Sequence, residues 1–132
     1  MAYKNYNKYG NKKVTKNGNT YDSRKEARRH SELLLLEKAG AIRNLETQVK
    51  FELIPAQYET IETGEFYKIG TKKGQPKTKQ ICVEQSVDYY ADFVYEENGK
   101  KIVEDTKGFR TEKYIIKRKL MLYVHGIKIK EI

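Results

Sequence analysis

The sequence predicts an α/β (α+β) domain: one mixed β-sheet flanked by two helices, with a long β-hairpin inserted. Three observations predict it. Two segments carry helical periodicity between a capping residue and a glycine. Others alternate apolar and polar residues with the period of two that a half-buried strand requires. Asn98-Gly99 separates two strand-like runs, the strongest short-range hairpin signal.

The elements follow in order. "KVTKNGNTY", residues 13–21, has Asn-Gly between short β-type runs and predicts a small hairpin. In "YDSRKEARRHSELLLLEKAG", Ser23 caps a helix over 24–38 and Gly40 ends it. Leu33, Leu34 and Leu36, with Ala27 and His30, make its apolar side. "TQVKFELIPA" sets Val49, Phe51 and Leu53 against Gln48, Lys50 and Glu52, a strand ending near Pro55. Residues 57–85 predict two strands around a loop, and 86–95 with 101–107 predict the Asn-Gly hairpin. "TEKYIIKRKLMLYVHG" predicts a second helix, with Thr111 as cap and Gly126 at its end. "IKIKEI" predicts a closing strand with Ile127 and Ile129 on one face. No repeat and no linker interrupts residues 13–132, which read as a single domain behind a flexible basic tail, residues 1–12.

Composition narrows the function classes. There is no long apolar run to span a membrane, and the N-terminal residues lack the apolar core of a secretory signal. Cys82 is the only cysteine, so no disulfide framework or zinc site is available and a reducing cytoplasm is expected. The net charge of +9 favours a polyanionic partner. The excess is clustered. Residues 1–21 hold five lysines, Lys12 and Lys13 among them, interleaved with Tyr3, Tyr6 and Tyr9 and with no acid. "KIGTKKGQPKTK" brings Lys68, Lys72, Lys73, Lys77 and Lys79 together in a hairpin tip, again with no acid. Lysines meet phosphates and tyrosines stack on bases, so both clusters are candidate DNA contacts.

The chemistry concentrates in "YYADFVYEENGKKIVEDTKGF". Counting outward from Asn98-Gly99 pairs Glu97 with Lys100, Glu96 with Lys101, Tyr95 with Ile102, Val94 with Val103 and Phe93 with Glu104. One step further, Asp92 faces Asp105, and Tyr90 faces Lys107. Like charges directly opposed across a ladder destabilise it, and such violations tend to mark function. A divalent metal between the carboxylates reverses the sign of their interaction. Strand alternation places Lys107 on the face of Asp105 and Glu104 on the opposite one, which excludes Glu104. Acids, a metal and a lysine suit phosphodiester hydrolysis: the metal polarises the phosphate and lowers the pKa of a bound water, while the lysine orients that water or stabilises the developing charge.

These residues resemble a known motif. Asp92, a hairpin, then Asp105-Thr106-Lys107 is similar to the PD-(D/E)xK motif of nucleases on the restriction-endonuclease-like fold, with Ala91-Asp92 in place of Pro-Asp. With "YDSRKEARRHSELLLLEKAG" and "QVKFELIP", the chain more specifically resembles a small phage-encoded family near Holliday-junction resolvases and transposon-end endonucleases. The resemblance covers roughly residues 13–132 and matches 57–85 least. It implies a helix, three strands, helix and strand as the core, and a first-helix glutamate completing the metal site. The matching residue is Glu26, although Ser23-x-x-Glu26 is equally a capping box; Glu32 is the alternative. Gln48 and Asp88 are accessory candidates, and Lys113 and Lys117, one turn apart, are candidate phosphate contacts. His30 and His125 are not expected to be ligands.

The expectation is therefore a Mg²⁺- or Mn²⁺-dependent DNA endonuclease in phage DNA recombination, repair or processing. Asp92, Asp105 and Glu26 hold the metal with the carbonyl of residue 106, and Lys107 positions the water. Backbone or shape recognition of DNA and a homodimer are expected with it. The competing expectations are a catalytically inactive DNA-binding module on the same fold and a phage protein-interaction factor.

Overall fold

In a computed structural model, the described residues are 23–132, with the backbone of two short strands, β1 (Val14–Lys16) and β2 (Asn19–Tyr21). The expected tail, residues 1–12, and the Asn17-Gly18 turn lie outside the described residues. β1 and β2 pair antiparallel, as the hairpin at 13–21 requires. There follow α1 (Arg24–Lys38), β3 (Arg43–Ile54), β4 (Gln57–Phe66), β5 (Pro76–Glu84), β6 (Val87–Glu97), β7 (Lys100–Asp105), α2 (Glu112–His125) and β8 (Lys130–Glu131). The fold is α+β, with a four-stranded sheet in the order β3-β6-β7-β8 and a separate two-stranded sheet of β4 and β5. The sheet is mixed: β6 runs antiparallel to β7, and β7 parallel to β8. A parallel neighbour needs a crossover, and α2 supplies it. Two compact units result, residues 1–51 with 90–132, and residues 52–89.

In the first unit, α1 forms where its signals predict. The Ser23 hydroxyl accepts from the Glu26 N–H at 3.2 Å. At the other end Gly40 takes φ 80°, and the Ala41 N–H reaches back to the Leu36 carbonyl at 2.9 Å, closing the last turn. The buried face is Glu26, Ala27, His30 and Leu33. Leu34 and Leu36, expected on that face, are instead exposed; Leu36 falls outside the 3.6-residue period that runs from Ala27 through His30 to Leu33, whereas Leu34 keeps that period and is still left uncovered. Leu33 packs with Ile42, Phe93 and Tyr95, bordered by Leu45 and Ile102. His30 stacks near Phe93, with ring centroids 5.5 Å apart, and burial holds its pKa below the usual histidine value. Ser23→Ala is expected to cost about 1 kcal/mol of stability, read as a lowered urea midpoint.

α2 is capped as predicted, with the Thr111 hydroxyl accepting from the Tyr114 N–H and Gly126 at φ 67°. Tyr114 and Met121 are its buried residues. The closing strand is shorter than expected. Only Lys130 and Glu131 join the sheet, opposite Glu104 and Asp105, and Ile129 is buried just before them. No described helix is long and apolar enough to cross a membrane.

The second unit is the expected long hairpin. β4 and β5 pair from Gln57↔Glu84 to Phe66↔Pro76, with an irregularity between Glu62 and Phe66. Nearly every residue of both strands is exposed.

Candidate functional site

The Asn-Gly register holds for five pairs, from Glu97↔Lys100 to Phe93↔Glu104, and then stops. β7 ends at Asp105, so the expected Asp92–Asp105 and Tyr90–Lys107 ladder pairs are not formed, and Lys107 lies beyond the strand. The reason is visible in Asp92 itself. Its Oδ2 accepts both the N–H and the hydroxyl of Thr106, each at 2.8 Å, which replaces the next rung with side-chain bonds.

Asp105 and the lysine still meet. Asp105 is 1 % exposed, and the Lys107 ammonium lies 3.3 Å from its Oδ1. The same ammonium stands 4.7 Å from the centre of the Tyr114 ring. Two restraints, a carboxylate and an aromatic face, therefore fix a side chain that the ladder no longer holds. Burial first, and the charges of Asp105 and Glu131 next, push the Tyr114 phenol up, so it stays protonated.

Glu26 is also placed. Only its N–H serves the Ser23 cap; its carboxylate accepts from the Gln48 side-chain amide at 3.0 Å. That amide nitrogen also reaches Asp92 Oδ1 at 3.3 Å, so one donor bridges the two acids. Gln48 does this from a strained backbone. Its φ is 51°, in the left-handed region, inside β3. For a residue with a Cβ that conformation costs roughly 1–2 kcal/mol. Such strain persists where the surrounding structure enforces it, often at functional sites.

Glu26, Asp92, Thr106, Lys107 and Tyr114 line one cleft of about 480 Å³, together with Lys25. Ser23 and Thr111 line it too, so both helices begin there. Helix N-termini carry partial positive charge and unpaired N–H groups, which suits an anionic ligand. Among the described residues, no three His, Cys, Asp or Glu side chains are already gathered as a ready-made metal cluster.

Other sequence candidates fall elsewhere. Glu32 is on the surface, bonded to Arg29 at 3.0 Å. Asp88 belongs to the second unit, where it accepts from the Ser86 hydroxyl. Lys113 is exposed and Lys117 half-buried on α2, and neither lines the cleft. His125 meets Phe51 edge-on. Lys68, Lys72, Lys73, Lys77 and Lys79 are all in the second unit; Lys12 and Lys13 lie outside the described residues.

Sequence reasoning missed two groups. Tyr114 had only its place one turn into α2 as a signal. Glu104, excluded from the metal site as lying on the face opposite Asp105, is fully buried and is the centre of a network. It accepts from Arg29 Nε at 2.9 Å and Nη2 at 2.6 Å, and from the Tyr95 hydroxyl at 2.6 Å. Lys130 stands 3.7 Å away. Burial pushes the Glu104 carboxyl up, but the bonds from Arg29 and Tyr95 outweigh it and hold its pKa below the usual range. The pair ties α1, one turn past Glu26, to β7, one residue before Asp105.

The fold and cleft define an α+β protein in which Glu26, Asp92, Lys107 and the starts of both helices line one cleft. The chain belongs to the family described as "Protein of unknown function (DUF1064)", which it matches over residues 6–130. No curated protein and no solved structure matches it.

Proposed function

We propose that the protein is a metal-dependent DNA endonuclease of the PD-(D/E)xK type, hydrolysing phosphodiester bonds during phage DNA recombination, repair or processing in the host cytoplasm. The observation that carries this reading is the strained Gln48, which spends backbone energy to hold Glu26 and Asp92 together beside the Asp105–Lys107 pair.

The donor set fits Mg²⁺ or Mn²⁺. Glu26, Asp92 and Thr106 line the cleft with hard oxygen donors of the kind these ions take, and the buried Asp105, which does not line it, would complete the set. When bound, the ion polarises the scissile phosphate and lowers the pKa of a coordinated water. The chain's own groups do the rest. Lys25 and the two helix N-termini attract the phosphate. Lys107, held by Asp105 and Tyr114, orients the water and meets developing charge. A homodimer offers the surface for two strands that a chain of 132 residues lacks.

The decisive assay incubates the protein with duplex, single-stranded and four-way-junction DNA, with Mg²⁺ or Mn²⁺ and with EDTA. Cleavage is expected with the ions, none with EDTA, and none in Asp105→Asn, whose DNA binding stays intact. Binding without cleavage under every metal condition leaves a DNA-binding module instead; binding to none of the substrates leaves a protein-interaction factor.

Gln48→Gly gives an independent check. Glycine accepts the left-handed φ without the roughly 1–2 kcal/mol cost, against about 0.5–1 kcal/mol of extra chain entropy. The backbone terms nearly offset, and the loss of the amide bonds to Glu26 and Asp92 remains, so stability is expected to fall by about 1 kcal/mol as cleavage falls, measured by urea denaturation beside the nuclease assay.

A further inference from the structure

The second unit has a feature that cleavage does not need. We propose that the β4–β5 ribbon is a DNA-bending arm whose tip inserts Ile69 as an apolar wedge between base pairs of a duplex. This rests on the DNA-binding half of the reading above and not on its chemistry.

Ile69 is 84 % exposed, an unusual state for a β-branched apolar side chain. It is not on a loose loop. The tip is closed by the Gly74 N–H to the Tyr67 carbonyl at 2.8 Å and the Tyr67 N–H to the Gln75 carbonyl at 3.0 Å. Inside that frame the Lys73 N–H meets the Gly70 carbonyl, and the Gln75 N–H the Lys72 carbonyl. Gly70 and Gly74 take φ of 86° and 85°, a conformation that side chains with a Cβ rarely adopt, and so allow the tight double turn. Ile69 is thus presented by a preorganised loop, next to Phe66, which is also exposed.

The surroundings are those of a polyanion contact. Residues 68–79 contain five lysines and no acid. Lys72 and Lys77 stand 5.8 Å and 5.7 Å from the centre of the Tyr67 ring, so two cations flank the wedge on a fixed aromatic base. The acids of the ribbon, Glu59, Glu62, Glu65 and Glu84, are on its strands. Only Glu65 pairs near the tip, 3.9 Å from Lys77. A two-stranded ribbon exposed along both strands matches a DNA groove in width, and apolar wedges of this type unstack a base step and kink the duplex. Five lysines and no acid over residues 68–79 favour a polyanion over a protein partner.

The test uses the full chain with EDTA present, so that cleavage plays no part. Duplexes carry an end-to-end fluorescence-transfer pair and 2-aminopurine at flexible pyrimidine–purine steps. Wild type is expected to bend the duplex, within the roughly 20–90° range of wedge proteins, and to raise 2-aminopurine emission. Ile69→Ser, at an exposed position, is expected to bind but lose both signals, and Ile69→Leu to restore them. Replacing Lys72 and Lys73 by Gln is expected to weaken the salt dependence of binding by about 0.9 in log–log slope for each phosphate no longer neutralised. Bending that Ile69→Ser leaves unchanged, or binding to a straight, fully stacked duplex, overturns the wedge and leaves the nuclease reading standing. Failure to bind any duplex overturns the wedge, and the nuclease reading falls with it where single-stranded and four-way-junction DNA are left unbound as well. Preference for an RNA hairpin or a protein ligand over DNA overturns the assignment of the partner.

Discussion

Arg29→Met is expected to destabilise the protein by about 3–5 kcal/mol, enough to unfold a large fraction of a domain whose total stability is about 5–15 kcal/mol. Glu104 is fully buried, and Arg29 gives it two of its hydrogen bonds. Methionine keeps the apolar stem and removes both, leaving the carboxylate with the Tyr95 hydroxyl and the more distant Lys130. The cost comes from the stranded charge, so Arg29→Met combined with Glu104→Leu is expected to recover most of the loss. Urea denaturation of the two single variants and the double closes the cycle. The same pair predicts a pH dependence. Glu104 has a pKa held below the ordinary 4.5, so the unfolded chain binds a proton first as pH falls. The stability it contributes is complete above pH 4.5 and is lost as pH drops through the lower folded value. His30 acts in the same direction at higher pH. Burial lowers its pKa below 6.5, so acidification from 6.5 downward favours the unfolded chain. Replacing His30 by leucine flattens the first segment of that decline, and Glu104→Gln flattens the second.

Much of this was legible in the residues. Both helices begin and end at the caps that composition names, because Ser23, Thr111 and Gly126 each satisfy backbone groups that nothing else nearby can reach. The hairpin register could be counted from Asn98-Gly99, because a two-residue turn leaves no freedom in pairing. The count failed where a side chain competed with the backbone. Asp92 takes the Thr106 N–H, and pairing arithmetic has no way to see such a bond. The role of Glu104 was not legible for a related reason: alternation tells which side a residue faces, not what is waiting there. On that side was Arg29, 75 positions earlier in the chain. Gln48 was legible as a polar residue opening a strand; its left-handed backbone was not, since glutamine carries no preference for it. Of the four consecutive leucines, only Leu33 is buried: the helix period turns Leu35 and Leu36 away, while Leu34 shares the buried side by period and is still exposed, which pattern alone does not reveal.

Glu26→Gln is expected to reduce metal-dependent cleavage on the order of 10²-fold or more, the scale on which charged catalytic groups contribute, with little change in stability. The sequence left two roles for this residue, cap and site. The geometry separates them, because the cap uses the Glu26 main-chain N–H and the site uses its carboxylate. Glutamine keeps the N–H and the size of the side chain but removes the charge. It also sets an amide against the Gln48 amide, whose donor contact survives only if the new group turns its oxygen toward it. Ser23→Ala makes the opposite cut: it deletes the cap acceptor and leaves the carboxylate in place. The two variants should therefore move in perpendicular directions, one in activity at nearly constant urea midpoint, the other in midpoint at nearly constant activity per folded molecule. Isothermal titration with Mn²⁺ gives a readout apart from turnover. Affinity is expected to weaken in Glu26→Gln and to stay level in Ser23→Ala. If both variants lose activity only in proportion to their loss of folded protein, Glu26 is a capping residue alone, and the site rests on Asp92, Asp105 and Lys107.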